Sequence, residues 1–214
     1  MDNYITRVEQ AIAKAEKRET KLTESQLNPN ILPGMSGKKS RIMLNELIQA
    51  DTKYLEVGVY VGSTFISACY KNNPISVQSI DMFTEVGRGF KGDYLKNIES
   101  NKENLPPFEF YEEDCFNLKD ETKAKLKDIN CFFFDGPHEE ADQCKALTYY
   151  KDFLADTFIF IVDDWNWDKV KQGTFRGIKE SNLEILKSWE LISPGGDHEN
   201  WWNSWYVAVL KKNK

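Results

Sequence analysis

Residues 55–64 read Leu55-Glu56-Val57-Gly58-Val59-Tyr60-Val61-Gly62-Ser63-Thr64. An apolar run that breaks at glycine and resumes with hydroxyl residues reads as a strand, a glycine turn and a helix start, with Ser63 or Thr64 as the expected cap. Gly58 would let the backbone approach a ligand, Gly62 would relieve the turn into the helix, and Glu56 supplies a carboxylate.

Outward from this stretch, short β-rich runs alternate with helical ones. Residues 53–59, 75–81, 108–112, 131–135 and 158–163 read as strands separated by segments long enough for crossover helices, which implies a mostly parallel sheet with helices on both faces. Two further runs, 189–193 and 204–210, flank a loop containing Pro194-Gly195-Gly196 and suit an antiparallel pair. The expected fold is α/β, Rossmann-like and doubly wound, with a seven-stranded sheet. Ahead of it, residues 1–24 set Tyr4, Ile5, Val8, Ala11, Ile12 and Ala15 at helical spacing, giving an amphipathic helix that must dock on the domain or on a second subunit. A Pro/Gly/Asn stretch, residues 28–37, then separates it from a second helical pattern over 39–50. The chain divides into an N-terminal helical extension, 1–50, and a ligand-binding domain, 51–214.

Composition narrows the class. With 41% hydrophobic and 29% charged residues the chain is an ordinary globular one, and no run approaches the roughly 20 apolar residues of a membrane span. Met1-Asp2-Asn3 lacks the basic-then-apolar layout of a secretion signal, so a cytoplasmic location without membrane attachment is expected. Cys69, Cys115, Cys131 and Cys144 are widely spaced and the chain has only two histidines, which indicates free thiols and neither a zinc cage nor a disulfide framework. A net charge of −6 opposes nucleic-acid binding; Lys38, Lys39 and Arg41, and the lysines within 119–127, are the candidates for a local basic patch.

In an open α/β sheet, ligands bind beyond the carboxyl ends of the strands. A dinucleotide fingerprint would require G-x-G-x-x-G, but Tyr60 takes the middle glycine position and Glu56 would set negative charge beside a pyrophosphate. Asp81 ends the second strand about twenty residues after the turn, where a carboxylate can accept both ribose hydroxyls of an adenosine. Asp135 ends the apolar run Phe132-Phe133-Phe134 and is followed by Gly136-Pro137-His138; Asp163-Asp164 end the next strand. Adjacent carboxylates repel unless they diverge, share a proton or bind a cation, so these three aspartates suggest Mg²⁺, with a metal-free polar rim as the alternative.

The pattern E-x-G-x-x-x-G over Glu56–Gly62 resembles the first motif of class I methyltransferases, which bind S-adenosylmethionine (SAM). The D-G-x-H element at Asp135–His138 with the Asp163-Asp164 strand end is similar to metal-dependent O-methyltransferases related to catechol O-methyltransferase, and closer to the macrocin-type sugar O-methyltransferases. Over residues 33–164 this resemblance implies metal ligation by Asp135, Asp163 and Asp164, and catalysis by His138 as general base with Asp135. It implies a cofactor-contact set of Met35, Glu56, Gly58, Gly62, Ser63, Asp81, Met82, Asp114, Cys115 and Asp135. Asp114 would take the adenine amino group, with Phe83 or Phe116 as a stacking wall, and Gly34-Met35-Ser36-Gly37-Lys38 would form a lid loop over the cofactor. The sequence departs from the pattern at Glu140, where tyrosine is usual, and at Ala146, where aspartate is usual.

These readings imply a SAM-dependent methyltransferase acting on a small hydroxylated acceptor, sugar-like or phenolic, with a homodimer as a possible assembly. A NAD- or nucleotide-sugar-dependent oxidoreductase and a non-catalytic binding protein on the same scaffold are the competing classes. His198 rivals His138 as the base. Trp165, Trp167, Trp201, Trp202 and Trp205 are open to two readings, a wall over the acceptor or the filling of a core or interface.

Overall fold

The computed structural model describes residues 2–83 and 90–213, without the side chain of Asp2. Seven strands form one sheet: β1 (Lys53–Val57), β2 (Ser76–Ile80), β3 (Glu109–Tyr111), β4 (Ile129–Phe134), β5 (Leu154–Val162), β6 (Leu183–Leu191) and β7 (Trp205–Lys212). Their order is β3-β2-β1-β4-β5-β7-β6, parallel from β3 to β5, with β7 antiparallel to both β5 and β6. This is the doubly wound α/β fold with the expected C-terminal antiparallel pair.

Side-chain alternation along the strands divides the interior into two layers. In β4, Cys131 and Phe133 join one apolar cluster while Phe132 and Phe134 join the other. The first layer is closed by α1 (Asp2–Lys17), α3 (Lys38–Leu47) and α4 (Ser63–Cys69), which contribute Val8, Ile42, Leu44 and Phe65. The second is closed by α7 (Glu140–Tyr150) and α8 (Asp168–Glu180) through Leu147, Tyr150, Val170 and Ile178. The remaining helices are α2 (Glu24–Leu27), α5 (Phe90–Asn101) and α6 (Asp120–Lys125). No described helix is long and apolar enough to cross a membrane.

The amphipathic N-terminal stretch is shorter than its pattern. Arg18 adopts φ 58°, a left-handed conformation that ends α1, and residues 24–27 form a separate turn closed by a Thr23–Gln26 capping box. The apolar face of α1 is occupied within the chain: Val8, Ala11 and Ala15 are buried in the first layer, and buried Arg7 grips Asp51 with two bonds of 2.7 and 2.8 Å. Of the two docking partners expected for this helix, the domain itself takes the apolar face.

Two strand limits also differ from the pattern. β5 begins at Leu154, upstream of residue 158, because its first residues, Ala155-Asp156-Thr157, are partly exposed and carry no apolar signal. β6 begins at Leu183 rather than 189, because a register shift between Ile185 and Lys187 breaks the two-residue alternation and the strand lies at the sheet edge.

At the carboxyl ends, the β1 and β4 backbones converge. The Asp135 N–H donates to Val57 O at 2.8 Å, and Gly58, at φ +85°, lies so close that a Cβ there would sit 1.9 Å from Asp135 O. Gly58→Ala therefore has to separate these ends as well as adopt a left-handed conformation. It is expected to lower unfolding free energy by about 3 kcal/mol in urea denaturation; a change below about 0.5 kcal/mol would contradict this packing.

Candidate active site

A cavity of about 420 Å³ opens over the carboxyl ends of β1 to β4. The strand order reverses at β1, where the chain crosses from the β2 side to the β4 side, and a doubly wound sheet leaves a crevice at such a point. Met35, Gly58, Asp81, Met82, Asp114, Cys115, Asp135 and His138, all expected from the sequence, line it. So does Phe83, one of the two proposed stacking residues; Phe116 instead packs against Phe134 and Tyr149. Residues 84–89, between Phe83 and Phe90, lie outside the described residues.

Tyr60, Phe90 and Glu113 also line it, beyond the contacts expected from the sequence, as do Val57, Ile80, Gly136 and Pro137. Tyr60 and Phe90 meet with ring centroids 4.4 Å apart. The signal for Tyr60 was present, since it replaces the middle glycine of a dinucleotide fingerprint; the positive φ of 50° that turns it into the wall was not readable.

The turn after β1 is built differently from the expected capped helix start. Gly62 is the cap residue of α4, at φ 88°, and neither following hydroxyl caps the helix. Thr64 Oγ1 donates to Glu56 Oε1 at 2.6 Å, and Ser63 Oγ lies 2.9 Å from Ser36 Oγ in the lid loop. A glycine cap frees both hydroxyls for these longer-range bonds. Glu56 is fully buried, and its second oxygen accepts the Tyr54 hydroxyl at 2.6 Å. Glu56, Gly62 and Ser63 are not among the cavity-lining residues. Glu56 thus ties β1 to α4 beneath the cavity.

Asp81 is equally engaged. Oδ2 accepts the backbone N–H groups of Val59 and Tyr60 at 2.8 and 2.9 Å, and Oδ1 that of Phe83 at 2.7 Å. A carboxylate has about four lone-pair sites, so this arrangement leaves about one on Oδ1 and not one for each of two hydroxyls. Asp114 accepts the Phe116 N–H through Oδ1, while Glu113 is held by Lys119 N and Thr122 Oγ1. Burial, with Asp114 alongside, pushes the Cys115 thiol up to about 12, so it lines the cavity as a neutral group.

The ends of β4 and β5 bring Asp135, His138 and Asp164 together, each offering one ligand atom within 4.8 Å of the others. His138 Nδ1 is 3.2 Å from Asp164 Oδ2. Asp163 lies beside them: Asp164 takes a left-handed φ of 56°, and its N–H donates to Asp163 Oδ1 at 2.8 Å. The ligand atoms that meet within 4.8 Å are those of two aspartates and the histidine, with Asp163 alongside both carboxylates. Burial, then the neighbouring carboxylates, holds the Asp135 and Asp163 carboxyls well above the usual range. Among the described residues no lysine or arginine pairs with any of the three aspartates. Oxygen donors that repel one another and lack a counter-ion fit a hard divalent cation, and a histidine nitrogen is compatible with the same set.

The tryptophans divide. Trp165, Trp201 and Trp205 are buried, with Trp165 stacked on Tyr206 at 4.3 Å and Trp205 packed on Phe133 at 5.0 Å, so these three fill the core. Trp167 is 40% exposed and meets the His138 ring edge-on with centroids 5.2 Å apart. His198 does not line the cavity; its ring rests on Trp202 and Nδ1 lies 3.4 Å from Ser36 O. The lid loop and residues 197–200 interlock there, since Lys38 N donates to His198 O at 2.7 Å.

Most residues of the candidate basic patches are engaged within the chain. Arg41 is buried, bonding Ser36 Oγ and the carbonyls of Gln26 and Leu32, and burial lowers its pKa to about 10. Lys38, Lys39, Lys119, Lys123 and Lys125 each face a carboxylate.

Neither a family model nor a curated protein matches the sequence. Solved structures do match in fold. A Streptococcus mutans protein described as a candidate SAM-dependent methyltransferase superposes with a TM-score of 0.58 at 15% identity, over 81% of this chain and 48% of its own. The present chain therefore spans about half that protein's length. An O-methyltransferase from Bacillus cereus, in complex with S-adenosylhomocysteine (SAH), gives 0.53 at 15% identity over 99% and 92% of the two chains. TYW2 of M. jannaschii, in complex with AdoMet, gives 0.55 at 11% over 92% and 80%. What this chain shares with these methyltransferases is the Rossmann-like α/β fold.

Glu56 supplies a pH test of the geometry. Burial lifts its pKa from 4.5 to about 7, against the lowering effect of the two hydroxyl bonds. The folded protein holds this proton more tightly than the unfolded chain, so the associated stability is complete below about pH 4.5 and is lost as pH rises towards 7. Relative to Glu56→Gln, the wild type should lose about 3 kcal/mol between pH 5 and pH 8 in urea unfolding. A pH-independent difference would contradict the buried, protonated carboxyl.

Proposed function

We propose that the chain is a SAM-dependent methyltransferase that methylates a hydroxyl oxygen of a small acceptor with the help of a divalent cation. The observation that carries this reading is the convergence of Asp135, His138 and Asp164 at the edge of a cavity built by the glycine turn, Asp81 and Asp114. Tyr60 and Phe90 narrow the wall where a dinucleotide would need a glycine-lined approach, which favours a shorter nucleoside ligand.

SAM supplies a methyl group on a cationic sulfonium, and a divalent cation held by Asp135 and Asp164 would acidify a hydroxyl close to it. The chain's own residues do the rest. Gly58 gives the ligand access to backbone, Asp81 and Asp114 orient its adenosine end, and Met35 covers it. The acceptor lies towards His138 and exposed Trp167. With Nδ1 held 3.2 Å from Asp164 Oδ2, His138 would present Nε2 to take the proton of the acceptor hydroxyl, while bound SAM would supply the methyl group and leave as SAH. Orientation of the two reactants is worth up to about 7–11 kcal/mol, more than the proton transfer, so the cavity's shape contributes most.

Calorimetric titration tests the cofactor class: SAH should bind the wild type in the micromolar range or tighter, and at least about tenfold more weakly to Asp81→Ala, which loses a charge-assisted bond. Absence of SAH binding to the wild type would overturn the methyltransferase reading. His138→Ala tests the base. It should keep SAH and Mn²⁺ affinity within about twofold while slowing transfer to an acceptor, found from a panel of sugars and phenols, by about 10²- to 10⁴-fold. Loss of Mn²⁺ binding in that variant would make His138 a ligand instead.

A further inference from the structure

The loop between β6 and β7 reaches back to the carboxylate cluster through a single side chain. Asn203 Nδ2 donates to Asp164 Oδ1 at 2.6 Å, while Asn203 Oδ1 accepts the Gly196 N–H at 3.0 Å. Its backbone carbonyl accepts the Asn166 N–H at 3.2 Å. The amide is therefore fixed at both ends, and only one orientation satisfies both: the NH₂ group towards the carboxylate and the oxygen towards the backbone.

The surrounding backbone is held in sparsely populated conformations to achieve this. Asp164, Trp202 and Ser204 have φ values of 56°, 57° and 69°, so a left-handed residue lies on each side of Asn203 and another at its partner. Such residues persist only where neighbouring contacts over-determine them, and they concentrate at sites that must present a group in one direction. Here the contacts are identifiable: Trp165 N donates to Ser204 O at 3.0 Å, and Ser204 Oγ bonds both the N–H and the carbonyl of Ser193 at 3.0 Å.

Asp164 is 5% exposed, next to Asp163 and facing Asp135. Without an anchor, repulsion would rotate its carboxylate away from its neighbours. With Oδ1 held by Asn203, Oδ2 is left facing His138 Nδ1 at 3.2 Å. An uncharged donor is the group this position requires. A lysine would neutralise the cluster and compete with a cation, and an aspartate would add another repelling charge.

We infer that Asn203 is a positioning residue for the cation site: it fixes Asp164 so that one carboxylate oxygen faces Asp135 and His138, and it makes the site depend on the Pro194–Ser204 loop. The inference rests on the divalent-cation reading of the cluster. Asn203 touches neither cofactor nor acceptor in this role and acts through Asp164.

Mn²⁺ titration of the purified chain tests it, with SAH titration and thermal unfolding in chelator as companions. Asn203→Ala should bind Mn²⁺ about 10- to 100-fold more weakly than the wild type, the range seen when a partner of a metal ligand is removed. SAH affinity should stay within about twofold. Asn203→Ser, whose hydroxyl is too short to span the same gap, should behave alike and serves if the alanine variant fails to fold. Unchanged Mn²⁺ affinity in the variants, with a binding wild type, would overturn the role of Asn203 alone. Parallel loss of Mn²⁺ and SAH with a lower unfolding temperature would reduce Asn203 to a general structural contact. A wild type that binds SAH but not Mn²⁺ would overturn the cation reading itself, and with it this inference.

Discussion

Crowding of negative charge at one edge of the sheet is the constraint around which the site is organised. Asp135, Asp163 and Asp164 end adjacent parallel strands, with Glu56 beneath and Asp81 beside them, and burial and mutual repulsion raise the Asp135 and Asp163 carboxyls. Desolvating a carboxylate without compensation costs several kcal/mol, so each of these groups needs a proton, a donor or a cation. The chain meets the need in different ways. Glu56 has its pKa lifted to about 7 and takes two hydroxyl donors, Asp81 takes three backbone amides, and Asp164 takes an asparagine amide. What is left, at Asp135, Asp164 and His138, is a deficit of positive charge facing the cavity.

The fold holds that deficit in place by joining distant parts of the chain. The β1 and β4 ends are pressed together at Gly58, where a side chain would collide with Asp135. Buried Arg41 gathers the carbonyls of residues 26 and 32 and the Ser36 hydroxyl, and Ser36 touches Ser63 at the first turn of α4. The lid loop then meets the C-terminal loop at Gly37, where an added Cβ would lie 1.9 Å from Asn200 O. Through Asn203 that second loop returns to Asp164. The loop over residues 34–38, the glycine turn and the carboxylate cluster are thus mechanically continuous, which suits the proposed reaction, whose rate depends on holding two reactants in line.

Much of this was legible in the sequence, for a physical reason. Parallel strands buried on both faces must be apolar, so Phe132-Phe133-Phe134 and Phe158-Ile159-Phe160-Ile161-Val162 stand out, and the polar residues that end them fall at the functional edge. Residues at strand ends, Asp81, Asp114, Asp135 and His138, were readable because the topology fixes where strands end. Side-chain direction was not. Glu56 precedes the turn and faces inward, Ser63 turns to Ser36, and Asp164 adopts a left-handed φ with its N–H on Asp163 Oδ1, none of which leaves a trace in spacing. Asn203 was invisible for another reason: it lies 39 residues from Asp164, in a loop where His198 and the tryptophans carry the chemical signal and an asparagine reads as a turn residue. The edge strand β6 and the end of α1 were misjudged where a bulge and a positive φ interrupt periodicity.

The most direct measurement is diffraction from crystals grown with SAH and Mn²⁺, using the anomalous signal of manganese. The account predicts nucleoside density between Gly58, Asp81 and Asp114, with an anomalous peak bridging Asp135 and Asp164 beside His138. A cavity that stays free of SAH under saturating conditions, or a nucleoside bound elsewhere on the chain, would contradict the proposed methyltransferase site.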